Sequence, residues 1–191
     1  MRIIATDIAN LTDARYFAAW GVEGLAYNID PSSSDSVSSA QLKELVDWVE
    51  GPDTFVKMEG LEISPNLIDI QSLVDIKSVI IGSFIDTTHL PNFDKVYRIC
   101  TLEDGWQDND QLILSFPHKL ATITPLQIEK IKKLTAGNEV FLDANFFSSD
   151  LDRINDLGFV GIILKGGVEE KVGFKSYDEL DEILEAISES Y

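Results

Sequence analysis

Arg2-Ile-Ile-Ala-Thr-Asp7 runs directly into Ile8-Ala-Asn-Leu-Thr-Asp-Ala14, and Trp20-Gly-Val-Glu-Gly-Leu-Ala-Tyr27 follows within a few residues. Residues 2–7 form a short aliphatic run, the composition of a buried strand. Asn10 then stands before Leu11 with Asp13 in the first turn, a capping pattern for a helix. Phe17 and Ala18 precede Gly21, a residue suited to closing that helix, and residues 24–29 read as a second strand. A strand, a capped helix and a second strand make one βα unit and the start of the next, so the two strands lie parallel in one sheet.

The alternation continues along the chain. Further strands are predicted over residues 54–59, 78–84, 95–100, 111–116, 139–143 and 159–164, which makes eight. Thr124 with Gln127 forms a capping box with Pro125 at the first helical position, and Leu126, Ile128, Ile131 and Leu134 follow near a helical period up to Gly137. Ser176 with Glu179 repeats the box ahead of Leu180, Ile183, Leu184 and Ile187. Leu42, Leu45, Val46 and Val49 make a similar stripe after the Ser-rich run 32–39, and Ser149 with Asp152 gives a weaker start before Ile154 and Leu157. Residues 87–94 and 101–110 are too short, or too rich in Pro, Asn, Asp and Gly, for full helices. Eight parallel strands admit a closed barrel or a doubly wound open sheet, and the barrel is favoured, as a compact (β/α)8 TIM barrel with some short or missing helices. One domain spanning 1–191 is expected, since no boundary interrupts the pattern.

Composition narrows the function classes. The chain carries 33 acidic against 15 basic residues, a formal charge of −18, which repels nucleic acid and anionic membranes. Neither partner is expected, and an anionic substrate would need local help from backbone N–H groups or a few lysines. No run reaches the roughly 18 apolar residues of a spanning helix, the N-terminus opens on a strand-like run, and Cys100 is the single cysteine, so a cytoplasmic location is expected. His89 and His118 have no His or Cys partner at metal-ligand spacing, so no metal and no cofactor is expected. The oligomeric state is open at this level.

Two segments resemble the phosphoribosylanthranilate isomerase family. Residues 2–14, continued by 20–27, are similar to the family's opening strand, its Asn-Leu-Glu-Asp-Ala helix start and its second strand. Gly166-Gly-Val-Glu-Glu-Lys-Val-Gly-Phe-Lys175 is similar to its Ser-Gly-Val-Glu-x-x-Pro-Gly-x-Lys-Asp. The resemblance implies a (β/α)8 barrel and the Amadori rearrangement of N-(5-phosphoribosyl)anthranilate in tryptophan biosynthesis, which needs a general acid and a general base. The family's base is a cysteine and its acid an aspartate. Their positions here hold Thr6, followed by Asp7 in place of glycine, and Ser115. The family's arginine after the second strand falls in Pro31-Ser-Ser-Ser-Asp35, where Asp35 has the opposite charge. The glycine-rich phosphate stretch after the sixth strand is missing, and the turn after the seventh reads Ala144-Asn-Phe-Phe147. Gly166 and Gly167 alone keep a backbone suited to a phosphorylated small-molecule ligand, unless they serve only to turn the chain.

Read without the family, a barrel puts its site at the C-terminal ends of the strands, where Asp7, Lys57, Glu59, Arg98, Asp143, Asn145 and Lys165 fall. Asp143 with Lys165 could serve acid–base work or stand as a structural ion pair, and Lys165 could form a Schiff base if its pKa were depressed. Asp7, Asp143 and Lys165 are the candidate catalytic residues. Phe146 and Phe147 could line or close a pocket there. Three functions fit: an isomerase with displaced groups, a ligand-binding or regulatory barrel without the reaction, and a different enzyme on the same face.

Overall fold

The computed structural model describes residues 1–60, 62–107, 109–166, 168–171 and 174–189. Strands β1 (Arg2–Thr6), β2 (Gly24–Asn28), β3 (Asp53–Met58), β4 (Ser78–Ile81), β5 (Lys95–Cys100), β6 (Gln111–Phe116), β7 (Glu139–Ala144) and β8 (Gly161–Lys165) are all parallel and pair in sequence order. The last closes on the first, from Arg2↔Gly161 to Thr6↔Lys165. Closure settles the choice in favour of the (β/α)8 barrel.

Strand alternation divides the apolar residues into two cores. Ile4, Ala26, Phe55, Ile80, Tyr97, Ile113, Phe141 and Ile163, one from each strand, form a separate buried cluster that fills the barrel. Their neighbours along the chain, among them Ile3, Ala5, Leu25 and Val56, face outward and pack with the helices in the larger cluster. Two residues earlier on the same inward face, Gly24 and Gly161 leave room for the rings. A Cβ on Gly161 would stand 2.5 Å from the Phe141 ring, and one on Gly24 2.7 Å from that of Phe55. Below them Arg2 bonds Glu23 at 2.5 Å and Glu139 at 2.7 Å, and the Tyr97 hydroxyl donates to Glu139 at 3.0 Å. This charged floor seals the N-terminal end.

Among the described residues, six α-helices surround the barrel: α1 (Leu11–Ala19), α2 (Ser39–Asp47), α3 (Leu67–Leu73), α4 (Pro125–Gly137), α5 (Leu151–Asp156) and α6 (Asp178–Glu189). The expected caps of α1 and α4 form: Asn10 accepts from the Asp13 N–H, and Thr124 and Gln127 exchange both bonds of their box. Three local expectations need correction. The Ser176 hydroxyl accepts from the Asp178 N–H at 3.4 Å, and the helix starts at Asp178, so Ser176 lies outside its cap position. Helix α5 has no side-chain cap from Ser149, and the nearby Asp150 carboxylate accepts instead from the Phe147 N–H at 3.0 Å. Gly137 is the last helical residue of α4, with Asn138 as an extended cap. As expected, the β4–β5 crossover contains one 3-10 turn, Thr87–His89, and no α-helix, and the β5–β6 crossover has no helix among its described residues. After β8 the chain makes a hairpin, β9 (Val168–Lys171) with β10 (Phe174–Ser176), before α6.

Candidate functional site

One step above the barrel core, two residues on along the inward face of each strand, apolar residues give way to polar ones. Thr6, Asn28, Lys57, Ser115, Asp143 and Lys165 occupy that level, with Ile99 from β5. A cavity of about 370 Å³ at the C-terminal mouth is lined by all of these but Thr6 and is completed from the loops by Asp7, Ser33, Asp35 and Glu59. The Asn28 side chain shapes the β2 loop: its amide donates to Ser33 Oγ at 3.0 Å and its carbonyl accepts from the Asp30 N–H at 2.9 Å.

Lys57 is buried at the centre and bonds Asp7 at 2.8 Å and Glu59 at 2.5 Å. Burial acts to lower its pKa, but the hydrogen bonds and charges of these two carboxylates outweigh it and hold the ammonium above its ordinary range. Asp7 follows an inward residue and would face outward in a continuing strand. A left-handed backbone, φ 59°, turns it back over the mouth. On the other side of β1, Lys165 Nζ lies 3.2 Å from the Asp143 carboxylate. The three candidate catalytic residues thus come together at one opening, Asp7 paired with Lys57 and Asp143 with Lys165.

Thr6 is 2% exposed, and its Oγ1 is the one buried side-chain polar atom, among the described residues, without a hydrogen-bond partner. Arg98, by contrast, is committed to structure: its Nη1 reaches the carbonyls of Gly82, Ser83 and Ile85 at 3.0–3.3 Å and holds the loop after β4. His89 and His118 are exposed, and no three His, Cys, Asp or Glu side chains among the described residues are placed to hold a metal ion.

Asn145, Phe146 and Phe147 lie beside the mouth and line a second cleft of about 560 Å³ with Leu120, Leu180 and Ile183. This cleft shares Asp143 and Lys165 with the first cavity. Gly166 has a packing reason for lacking a side chain, because a Cβ there would stand 2.7 Å from Asp13 Oδ2. Asp13 is buried and accepts from Asn10 at 2.7 Å and from the Tyr177 hydroxyl at 2.5 Å. Gly167 lies outside the described residues. Sequence reasoning singled out Asp7, Lys57, Glu59, Asp143 and Lys165, and missed Asn28 as part of the ring. The available signal was its spacing of two from the apolar Ala26.

The architecture has counterparts among solved structures. Phosphoribosyl anthranilate isomerase from Thermus thermophilus matches with a TM-score of 0.73 at 16% identity over 100% of both chains. TrpF from Jonesia denitrificans gives 0.78 at 16% identity, covering 98% of this chain and 97% of its own. The fold is that of phosphoribosylanthranilate isomerases. A further isomerase structure, in complex with reduced 1-(o-carboxyphenylamino)-1-deoxyribulose 5-phosphate, matches with a TM-score of 0.69 at 13% identity over 99% of each chain. No family model matches the chain, and no curated protein matches it in sequence. At such identities the likeness establishes the barrel and leaves the chemistry to the residues at its mouth.

Proposed function

We propose that this protein is a phosphoribosylanthranilate isomerase-like barrel that has lost the Amadori rearrangement and binds a small molecule at its C-terminal mouth. The observation that carries this reading is the content of the inward ring. The positions that resemble the family's base and acid hold Thr6 and Ser115, and aliphatic hydroxyls do not exchange protons near neutral pH as a thiolate or a carboxylate does. The groups that could replace them are tied up: Lys57 is held protonated between two carboxylates, and Asp143 is paired with Lys165. Asp35 also lines the mouth, and its charge is opposed to the anthranilate carboxylate.

A phosphorylated ligand is the second reading, supported by the isomerase structure solved with a phosphorylated compound. Gly166 and Gly167 are the proposed backbone for it. If the mouth retains acid–base chemistry, Asp7, Asp143 and Lys165 are the groups to carry it. The deciding assay is turnover of N-(5-phosphoribosyl)anthranilate by the purified chain, together with growth of a tryptophan auxotroph lacking that isomerase. No turnover and no growth are expected. Turnover lost in Asp7→Asn or Asp143→Asn would overturn the proposal.

A further inference from the structure

Resting on the reading of the mouth as a ligand site, we infer that its ligand is a primary amine carrying an apolar group, with the ammonium at Asp143 and the apolar arm in the adjoining cleft. Four carboxylates, Asp7, Asp35, Glu59 and Asp143, line the mouth against two ammonium groups, a local balance of −2. Both ammonium groups are already engaged, Lys57 by Asp7 and Glu59 and Lys165 by Asp143. A phosphate entering here would meet excess negative charge, and drawing Lys165 to itself would leave the Asp143 carboxylate uncompensated beside it. On the Gly166 side it would meet buried Asp13 as well.

Acidic residues alone would not define a ligand, and the second observation is Thr6. Its hydroxyl belongs to the inward ring, is buried, and has no partner. An orphaned buried hydroxyl is costly unless something supplies the missing bond. Thr6 is the register partner of Lys165, whose side chain is 54% exposed. A ligand ammonium can therefore take the place of the Lys165 ammonium on Asp143 while Lys165 swings into water at small cost, because a half-exposed ion pair contributes little. That exchange conserves charge, and Thr6 Oγ1, level with Lys165 in the strand register, is the acceptor for a second N–H.

The third observation fixes the remainder of the ligand. Asp143 and Lys165 stand on the boundary between the mouth and the larger cleft, whose walls include Leu120, Phe146, Leu180 and Ile183. An amine seated on Asp143 has this apolar recess beside it, of a size ordinary for small-molecule sites.

The test uses the full chain and three probes: 2-phenylethylamine, the anionic analogue 3-phenylpropionate, and ribose 5-phosphate, each titrated by calorimetry. The amine is expected to bind at millimolar or lower concentration and the two anions not to. Asp143→Asn should weaken amine binding roughly ten-fold or more, as loss of a charge-assisted bond does. Thr6→Val keeps the volume and removes the orphan hydroxyl. It should leave the thermal midpoint at or above wild type while amine affinity falls a few-fold, a combination that a packing role for Thr6 does not produce. The inference is overturned if the amine does not bind, if 3-phenylpropionate binds as well, or if Thr6→Val leaves amine affinity unchanged. Ribose 5-phosphate binding without amine binding also overturns it while leaving the mouth a ligand site. Isomerase turnover would instead remove the reading on which it rests.

Discussion

Lys57 Nζ lies 2.8 Å from Asp7 Oδ1 at the centre of the barrel mouth, and Asp7 reaches it from a left-handed backbone at φ 59°. The two residues come from the ends of β1 and β3, and their pairing bridges the intervening strand β2 at the mouth. Asp tolerates this backbone better than most residues with a side chain, yet it does so at some conformational cost. The ion pair offsets that cost, so β1 can end in a carboxylate directed at the ring rather than away from it.

Replacing Lys57 by Met keeps most of the aliphatic stem and removes the charge, leaving Asp7 and Glu59 without their common partner. Destabilisation of about 2 kcal/mol is expected, in the range of hydrogen bonds to charged groups. Because the Lys57 pKa is raised in the folded state, its contribution is complete below the ordinary lysine value of 10.5 and is lost as pH rises through the folded value. Urea unfolding should therefore show a full gap between wild type and Lys57→Met at pH 7 that narrows above about pH 10.5.

The barrel floor should respond at the acidic end. Burial acts to raise the Glu139 pKa, but the hydrogen bond and charge of Arg2, with the Tyr97 hydroxyl and Lys95, outweigh it and hold it below the ordinary 4.5. A lowered folded-state value gives stability that is complete above about pH 4.5 and is lost as pH falls through the folded value. Glu139→Gln should melt lower than wild type at pH 7, with a difference that shrinks as the pH falls below about 4.5. A gap that stays constant down to pH 3 would show that Glu139 acts through shape alone.

Gly161→Ala tests the small-to-large fit inside the barrel. The added Cβ meets both the Phe141 ring and the Arg2 carbonyl at 2.5 Å, and the backbone contact cannot relax as a side chain can. A cost of about 3 kcal/mol is expected from overpacking. Phe141→Leu in the same chain should recover only part of it, since the carbonyl contact remains. Full recovery would place the whole strain on the ring.

The strands were legible because inward and outward positions are both buried, so each appears as an apolar run bounded by turn residues. Ser78-Val-Ile-Ile81 and Gln111-Leu-Ile-Leu-Ser-Phe116 are examples. Helix α3 was not legible: its seven residues carry no side-chain cap at Asn66 and follow a loop with Pro65, which leaves too short a period to detect. The β9–β10 hairpin was hidden because its sequence was absorbed into the loop after β8. At the site, Asp143 and Lys165 could be placed from their positions at strand ends. Asp7, Lys57 and Glu59 could be placed there in the same way, but their pairing could not, because strand alternation sends Asp7 outward and only its left-handed turn reverses that direction.

Arg98 should govern the order of the loop after β4. Its guanidinium reaches three carbonyls of that loop, those of Gly82, Ser83 and Ile85, while Phe84 between them is 82% exposed and contributes little packing. With no apolar anchor at Phe84, these bonds carry much of the loop's local stability. Arg98→Ala removes donors from all three at once and should cost about 1–2 kcal/mol globally. Amide exchange at residues 82–86 should accelerate far more than that of β4 or β5. Arg98→Lys should restore little protection, because a single ammonium cannot reproduce the planar guanidinium's fixed donor geometry. If exchange in the loop is unchanged in Arg98→Ala, the loop is held instead by the Ile85 side chain, which is 2% exposed and packs into the outer core.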